Sequence, residues 1–427
     1  MVKTMRIYFF VLLQFIPVSL LFSQEERNVL FIGNSQTFVN DLPMLVKEMA
    51  TSAGDILNYE ESTFGGFSFL QHLNSEDTQS KIRQGNWDYV VLQGRSGWPA
   101  LSDEFVEANV YPYAKQLNDS ITKYNPCAET VFYHTWGYRN GYTFYCPEMP
   151  TVCTYEGMDD MLQLRYPIMA IENDAILAPV GPVWRDLMST FPVINLFDPD
   201  GSHPSLQGSY AGALTFYSIL FRKDPNEVTY NPGIFTVEES LVKTAVTKVV
   251  YNNLEQWFVG DYDPYADFDY NLNYGLNFSF TNNSPYADSY HWDFGDGNES
   301  NSSDPDHTYV DNGSYDVVLT VSYCGNDYTK TVSIDTNILG VNDSNDFDFN
   351  LIANPASNAI LVKSSFEGEF IKFNLIDLNG KLVKSKSVFN SDQTTIDVTD
   401  LNNGIYFLRI NSTGKHYKTI KVLINNN

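Results

Sequence analysis

A serine, an aspartate and a histidine in this chain have the types and spacing needed for nucleophilic hydrolysis. Ser35 follows the apolar run Asn28–Ile32 and Gly33, whereas Asp200 and His203 lie far downstream with two residues between them. A serine hydroxyl becomes an effective nucleophile only when a base accepts its proton and a third group orients that base. One tight turn can present the carboxylate and the imidazole together. The three residues therefore predict acyl-transfer chemistry.

Four short motifs, in this order along the chain, resemble the blocks of the SGNH hydrolases, also called the GDSL esterase/lipase superfamily. They are Gly33-Asn34-Ser35, Phe64-Gly65-Gly66-Phe67, Leu92-Gln93-Gly94 and Asp200-Gly201-Ser202-His203. The first block reads Gly-Asn-Ser in place of the usual Gly-Asp-Ser. The third carries a glutamine where the family usually has asparagine, as in a branch with a Leu-Gln pair. The resemblance covers roughly residues 27–260.

The resemblance implies a role for each matching residue. Ser35 would attack the ester, His203 would take and return the proton, and Asp200 would orient the imidazole. The oxyanion would be held by the Ser35 N–H, the Gly66 N–H and the Gln93 side-chain amide. No cofactor and no metal enter this mechanism.

Several alternatives to these roles remain open in the sequence. They are Asp198 in place of Asp200, Gly65 in place of Gly66, and Arg95 or Ser96 as donor in place of Gln93. Asn34 is expected to stabilise the turn and to take no direct chemical part. Residues after the third and fourth predicted strands could contact substrate: Arg95, Ser96, Trp98, His134 and Trp136. The alternative for the first three is an ordinary polar loop, and for the last two a packed, hydrogen-bonded role.

The elements that must position these residues alternate between strand and helix patterns. Predicted strands are Asn28–Ile32, Leu57–Thr63, Tyr89–Gln93, Thr130–His134 and Ile176–Val180, and helical patterns include Leu42–Ala53, Met158–Asp174 and Ser205–Phe221. Such alternation predicts βαβ units and a parallel sheet covered on both faces, a flavodoxin-like three-layer α/β/α domain. Ligands bind such sheets beyond the carboxyl ends of the strands. Ser35, Gly66 and Gln93 all follow or end predicted strands, which supports one common site.

Two small all-β domains, predicted to be sandwiches, follow the α/β domain. The run Tyr290–Gly297 (YHWDFGDG), with His307-Thr308-Tyr309 and Gly313-Ser314-Tyr315 behind it, resembles the polycystic-kidney-disease (PKD) repeat. The last module, with blocks around Asn354, Asp377 and Tyr406, resembles the C-terminal sorting domain of the type IX secretion system of Bacteroidetes. Predicted boundaries are 1–24 for a signal peptide, 25–260 for the hydrolase, 261–340 for the PKD-like domain and 341–427 for the sorting domain.

The chain carries 52 acidic against 26 basic residues, a net charge of −26. Nucleic acids and anionic membranes select basic surfaces, so neither is an expected partner. Lys3 and Arg6 precede an apolar stretch from Ile7 to Phe22, which indicates secretion and no membrane span in the mature protein. The expected partner in export is the type IX machinery.

Four cysteines would meet an oxidising compartment after export. Cys146 and Cys153 could close a small loop, and pairing of Cys127 with either is the alternative. Cys324 lies in another predicted domain and has no evident partner. No spacing typical of a zinc site is present.

Together these features predict a secreted serine esterase, with O-acetyl groups on a carbohydrate as the first substrate class. The alternatives are a lipase or general carboxylesterase, and a non-catalytic surface protein that binds glycans. The carbohydrate preference rests on context, namely export and an accessory β domain, and not on the residues of the site.

Overall fold

A computed structural model describes residues 24–336, 350–351, 356–363, 370–378, 380–389, 393–412 and 415–426. Almost all of the predicted signal peptide, and the predicted boundary between residues 340 and 341, lie outside the described residues. Among the described helices, none is both long and apolar enough to span a bilayer.

The first domain is built on a five-stranded parallel sheet with the order β2-β1-β3-β4-β5. Its strands are β1 (Glu26–Gly33), β2 (Ile56–Thr63), β3 (Tyr89–Leu92), β4 (Glu129–Tyr133) and β5 (Ile176–Ala178). Strands β3, β4 and β5 and the second half of β1 are apolar and buried, as expected when helices cover both faces of a parallel sheet, whereas the edge strand β2 is largely polar and half-exposed. The predicted doubly wound sheet is confirmed, with strand ends shifted by no more than two residues.

Ten helices of the described chain accompany this sheet. They are α1 (Ser35–Phe38), α2 (Leu42–Ser52), α3 (Phe69–Leu73), α4 (Glu76–Ile82), α5 (Asp103–Asn109), α6 (Tyr111–Tyr124), α7 (Tyr155–Ile171), α8 (Val180–Thr190), α9 (Leu206–Phe221) and α10 (Thr236–Val249). Helices α2, α8, α9 and α10 pack together as one group, and α3, α4 and α5 each pack on α6. Right-handed crossovers put α2 and the helices after β2 on opposite faces, because the chain reverses direction across the sheet at β2.

Side-chain caps fix the starts of two long helices. The Thr154 hydroxyl accepts a hydrogen bond from the Gly157 N–H at 3.1 Å, so α7 begins three residues earlier than the predicted Met158. The Ser205 hydroxyl accepts from the Gly208 N–H at 3.1 Å, which places α9 where the sequence predicts it.

The sheet order has a switch point between β1 and β3, since the chain leaves these adjacent strands in opposite directions. Ile32 of β1 pairs with Leu92 of β3, and Gly33 pairs with Thr63 of β2. This register brings the segments that follow the three strands side by side. Doubly wound sheets bind ligands in the crevice at this point.

Two antiparallel domains follow. The first has sheets β10-β7-β6 and β12-β11-β8-β9, formed by β6 (Phe268–Tyr274), β7 (Asn277–Asn282), β8 (Ser289–Asp293), β9 (Glu299–Ser300), β10 (Asp306–Thr308), β11 (Ser314–Tyr323) and β12 (Asn326–Asp335). Its core includes Trp292, Phe280 and Leu319. The second has sheets β13-β14-β17 and β16-β15-β18-β19, formed by β13 (Asn350–Leu351), β14 (Ala359–Lys363), β15 (Phe370–Asp377), β16 (Leu382–Phe389), β17 (Gln393–Asp397), β18 (Gly404–Ser412) and β19 (Lys415–Ile424).

Both disulfides of the described chain bear on the cysteine predictions. Cys146 pairs with Cys153 across a Cα–Cα distance of 4.8 Å, as predicted. Cys127 pairs with Cys324 at 5.7 Å, so the expectation that Cys324 has no partner is wrong. This second bond joins the α/β domain to the first β domain, and the Tyr323 hydroxyl donates to Pro126 O beside it at 2.7 Å.

Candidate active site

Ser35 is the first residue of α1, immediately beyond the carboxyl end of β1. Asn34 caps this helix, since its side-chain oxygen accepts from the Gln36 N–H at 3.1 Å. The Asn34 amide nitrogen also donates to Phe67 O at 3.1 Å and Gly94 O at 2.9 Å. Asn34 thus ties the serine turn to the loops after β2 and β3, which agrees with the turn-stabilising role predicted for it.

A continuous hydrogen-bond chain joins the three predicted catalytic side chains. Ser35 Oγ lies 2.8 Å from Nε2 of His203. On the other side of the ring, Nδ1 of His203 contacts Oδ2 of Asp200. Ser35 and His203 are partly exposed and Asp200 is exposed, so a substrate can reach them from solvent. Asp200, and not Asp198, is the carboxylate partner of the imidazole.

The turn from Asp200 to His203 is held by its own backbone. Oδ1 of Asp200 accepts from the N–H groups of Ser202 at 2.8 Å and His203 at 2.9 Å. Gly201 adopts a φ of +76°, a conformation that glycine reaches without steric cost. Partial burial acts to raise the pKa of the Asp200 carboxyl, but the hydrogen bonds from His203 and Ser202 outweigh it and hold that pKa below its ordinary range. Asp200 therefore remains a carboxylate and can stabilise an imidazolium.

Two backbone N–H groups near Ser35 suit an oxyanion. Within the described chain, neither the Ser35 N–H nor the Gly66 N–H donates to a backbone or side-chain acceptor. Gly66 lies in a turn closed by the Phe67 N–H bond to Phe64 O at 3.2 Å, with a φ of +70°. A positive φ at this turn position requires glycine. Gly65 is equally exposed, so the structure leaves both glycines available.

Gln93 has a different task from the predicted one. Its side chain is fully buried, and Oε1 accepts from the Asn34 N–H at 2.8 Å and the Thr37 hydroxyl at 3.0 Å. Nε2 donates to Gly94 O and lies 3.3 Å from Ser96 Oγ. Both amide hydrogens are thus directed at protein acceptors. Gln93 organises the serine turn, and its predicted place in the oxyanion hole is corrected.

Three predicted substrate contacts, Ser96, His134 and Trp136, are buried and cannot meet a substrate in this arrangement. Ser96 packs under the loop after β3, where it meets Gln93. His134 stacks on Tyr166 at 4.6 Å, and burial, with a smaller effect of the Arg185 charge, lowers its pKa to about 3. The sequence places these residues at the correct end of the sheet but does not tell which side chains turn inward.

Trp136 is buried, and it contacts the backbone of the turn that carries Asp200 and His203. Its indole stacks on Trp184 with ring centroids 3.8 Å apart, and its Nε1–H donates to Ser202 O at 3.2 Å. Gln36 Nε2 lies 3.5 Å from the same oxygen. Trp136 therefore supports the residue next to His203 and is not a substrate contact. Gln36 has no motif signal in the sequence that would have revealed this role.

Arg95 and Trp98 are the predicted substrate contacts that do reach the surface. Arg95 is exposed and Trp98 partly exposed, with the guanidinium carbon 5.2 Å from the Trp98 ring centroid. They lie on the loop after β3, whose Gly94 carbonyl is bonded to Asn34. This loop forms one wall beside Ser35.

His72 supports the serine turn from the side of β2. Its Nε2–H donates to Gly33 O at 3.0 Å, and its Nδ1 lies 3.1 Å from the Thr78 hydroxyl. Burial lowers its pKa to about 4, so the ring is neutral in ordinary conditions. Gly33 itself must be glycine, because a Cβ there would lie 2.2 Å from Thr37 Oγ1.

A large cavity of the described chain lies at the opposite ends of the strands. It has a volume of about 1030 Å³ and is lined by residues such as Asp88, Glu129 and Tyr323. Glu129 belongs to the amino end of β4, whereas Ser35 lies beyond the carboxyl end of β1. The cavity is therefore not part of the site around Ser35. Among the described residues, no group of three or more His, Cys, Asp or Glu side chains is placed to hold a metal ion.

Comparison with known families identifies the two β domains. A family model described as a PKD domain matches residues 263–337, and one described as a secretion system C-terminal sorting domain matches residues 351–425. The sorting domain marks the chain for secretion and attachment at the cell surface. No match was found among curated proteins.

The α/β domain is similar to several solved structures. A DUF4886 family protein from Bacteroides uniformis is 17% identical with a TM-score of 0.46, covering 52% of this chain and 94% of that one. A candidate SGNH hydrolase from Slackia heliotrinireducens is 24% identical with a TM-score of 0.37, covering 46% and 99%. The psychrotrophic esterase EstA from Pseudoalteromonas sp. is 12% identical with a TM-score of 0.33, covering 46% and 97%.

Proposed function

We propose that this protein is a secreted serine esterase that removes O-acetyl groups from carbohydrates through an acyl-enzyme. The observation that carries the proposal is the hydrogen-bond chain from Ser35 Oγ through His203 to Asp200, with 2.8 Å between Ser35 Oγ and His203 Nε2. Nucleophile and base lie within hydrogen-bonding reach, and the base is oriented by a third group.

In the acylation half of the reaction, Ser35 Oγ attacks the ester carbonyl as its proton passes to Nε2 of His203. The carbonyl becomes a tetrahedral oxyanion, and the imidazolium is stabilised by the Asp200 carboxylate. Collapse breaks the bond to the alcohol oxygen, which takes the proton from His203. The acyl group is then bonded to Ser35 Oγ, and the sugar alcohol leaves.

In the deacylation half, water attacks the acyl carbonyl while His203 Nε2 accepts its proton. Ser35 departs with that proton, and the carboxylic acid is released. The Ser35 and Gly66 N–H groups are the proposed donors to the oxyanion in both halves. A preorganised donor of this kind is worth about 3–4 kcal/mol of barrier.

The proposed carbohydrate substrate is supported by the two β domains of the chain and by the side chains near Ser35, and not by the hydrogen-bond chain itself. The chain carries a sorting domain for export and a PKD domain, so it meets substrates outside the cell. Exposed or partly exposed side chains near the site include Arg95, Trp98 and Tyr142, which are a cation and aromatic rings and not aliphatic chains. Such side chains suit a sugar better than a long acyl chain, because aromatic rings combine apolar faces with polar edges.

The proposal is tested by hydrolysis of 4-nitrophenyl acetate and of two acetylated glycans, neutral xylan and anionic pectin, by the secreted protein and its Ser35→Ala variant. The wild-type protein should release acetate from the small ester and from at least one of the glycans, and the variant should lose nearly all turnover while its melting temperature stays unchanged. Turnover retained by Ser35→Ala would refute the serine mechanism. Activity on the small ester combined with none on acetylated glycans would refute the carbohydrate class alone.

A further inference from the structure

The arginines of the described chain divide into two groups by their partners. Six of them form an ion pair with a carboxylate: Arg27, Arg83, Arg165, Arg185, Arg222 and Arg409. Arg95 and Arg139 are the two described arginines without an ion pair. In a chain with twice as many acidic as basic residues, carboxylate partners are abundant, so two unpaired arginines are unexpected.

Both unpaired arginines flank the Ser35 site. Arg95 directly follows Gly94, whose carbonyl accepts from Asn34 next to Ser35. The backbone N–H of Arg139 donates to Gly201 O at 2.8 Å, inside the turn that carries Asp200 and His203. The two arginines thus come from the loop after β3 and the loop after β4, on two sides of the nucleophile.

Neutral contacts hold both guanidinium groups, so their charge stays available. Arg95 lies over the Trp98 ring and beside Tyr142, whose ring packs against Gly97 of the same loop. Arg139 donates to Asn195 Oδ1 at 2.8 Å and lies 5.1 Å from the Phe197 ring centroid. Both side chains are exposed. A guanidinium oriented by aromatic rings keeps free N–H donors for a planar or tetrahedral anion.

We propose that Arg95, assisted by Arg139, binds an anionic group of the substrate, so that the esterase selects acylated glycans that carry a carboxylate or a sulfate near the ester. The inference rests on the proposed function, because it assigns a specificity to the same site. It also explains why a strongly acidic protein keeps two uncompensated cations there: they offset its overall repulsion of an anionic substrate.

The experiment measures inhibition of 4-nitrophenyl acetate hydrolysis by three short glycans without acyl groups. They are an oligogalacturonate, a sulfated oligosaccharide and a neutral xylo-oligosaccharide. At least one anionic glycan should inhibit the full-length protein competitively, with an inhibition constant at least about tenfold below that of the neutral one. The two anionic arms distinguish a carboxylate from a sulfate as the recognised group.

Arg95→Gln should raise the inhibition constant of the anionic glycan roughly tenfold over that of the wild-type protein, as expected for loss of a charge-assisted hydrogen bond. The Michaelis constant of the reporter, 4-nitrophenyl acetate, serves as the reference and should change much less. Arg139→Gln should have a smaller effect of the same sign. Arg83→Gln is the matched control, since Arg83 pairs with Glu76 on α4 and the substitution changes net charge equally. It should leave all three inhibition constants unchanged.

The inference is overturned if anionic and neutral glycans inhibit the wild-type protein alike, or if Arg95→Gln weakens both alike. The second result would mean that Arg95 only packs the loop. If the wild-type protein does not hydrolyse the reporter, the proposed function fails instead. Titration calorimetry of the anionic glycan with wild-type and Arg95→Gln protein then still tests the anion site.

Discussion

Replacing Gln93 by alanine separates a structural role of this side chain from a direct role in catalysis. The buried amide joins the Asn34 N–H, the Thr37 hydroxyl and Gly94 O. In the alanine variant the Asn34 N–H loses its acceptor, which costs about 1–3 kcal/mol for a buried group. The space left by the side chain adds about 1 kcal/mol. Gly94 O keeps a donor, since Asn34 Nδ2 still reaches it at 2.9 Å.

The free energy of unfolding of the catalytic domain should therefore fall by about 2–4 kcal/mol. For a domain of this size each kcal/mol lowers the melting temperature by roughly 2–4 °C, so the shift should be about 5–15 °C. Turnover should fall as well, by about tenfold or more, because a misplaced Ser35 raises the activation free energy, and each increase of roughly 1.4 kcal/mol lowers the rate tenfold.

Thermal unfolding followed by circular dichroism, together with kinetics on 4-nitrophenyl acetate, measures both effects in one preparation. Thr37→Val is the matched control, because it removes a single bond to the same oxygen and should lower stability by about 1 kcal/mol. A Gln93→Ala variant with unchanged melting temperature and a turnover reduced by about two to three orders of magnitude would refute this reasoning. That result would make Gln93 an oxyanion donor.

Three further outcomes are expected. Gly66→Ala should lower turnover, since a Cβ at a φ of +70° costs about 1–2 kcal/mol of backbone strain and shifts the oxyanion N–H. Gly54→Ala is the control: Gly54 has a φ of +92° and is equally free of neighbours, so the substitution should lower the melting temperature similarly without lowering turnover. Burial raises the pKa of Glu129 to about 7; the Arg222 charge opposes this shift, and the charges of Asp263 and Asp261 assist it. Between about pH 4.5 and 7 the folded state therefore keeps a proton that the unfolded state has lost, so the free energy of unfolding should fall as the pH rises through this range. Glu129→Gln should remove that slope in melting temperature, and an unchanged slope would contradict the assignment. A chain ending after Asp263, with Cys127→Ser, should fold cooperatively and hydrolyse esters, because it keeps the proposed catalytic residues and the ion pair of Asp263 with Arg222. An inactive or non-cooperative fragment would contradict independent folding.

The sequence predicts the sheet and the position of Ser35 well because both depend on local patterns. The apolar run before Gly33 specifies a buried strand, and a buried strand followed by a short polar turn places Ser35 at the sheet edge. The preference for Asp200 over Asp198 comes from the family resemblance, whose spacing Asp200 and His203 match. The structure places Oδ2 of Asp200 against Nδ1 of His203.

Side-chain direction and long-range contacts are not encoded so locally. Trp136 and Arg139 lie three residues apart after β4, yet one is buried against Trp184 and the other is exposed. The pairing of Cys127 with Cys324 depends on how two domains meet across a separation of 197 residues. The family resemblance predicts that the Gln93 amide donates to the oxyanion, whereas the buried side chain bonds Asn34, Thr37 and Gly94 under the serine turn.

The central claim is that Ser35 is the nucleophile of an ester hydrolase, and covalent labelling tests it most directly. The full chain is treated with diethyl 4-nitrophenyl phosphate, and the modified residue is located by peptide mass spectrometry while 4-nitrophenyl acetate hydrolysis is followed in parallel. One diethylphosphoryl group is expected on Ser35, with loss of hydrolysis in proportion to labelling and no label on Ser35→Ala or, at the same exposure, on His203→Ala. A label on another residue that abolishes activity, or full activity after Ser35 is labelled, would contradict the central claim.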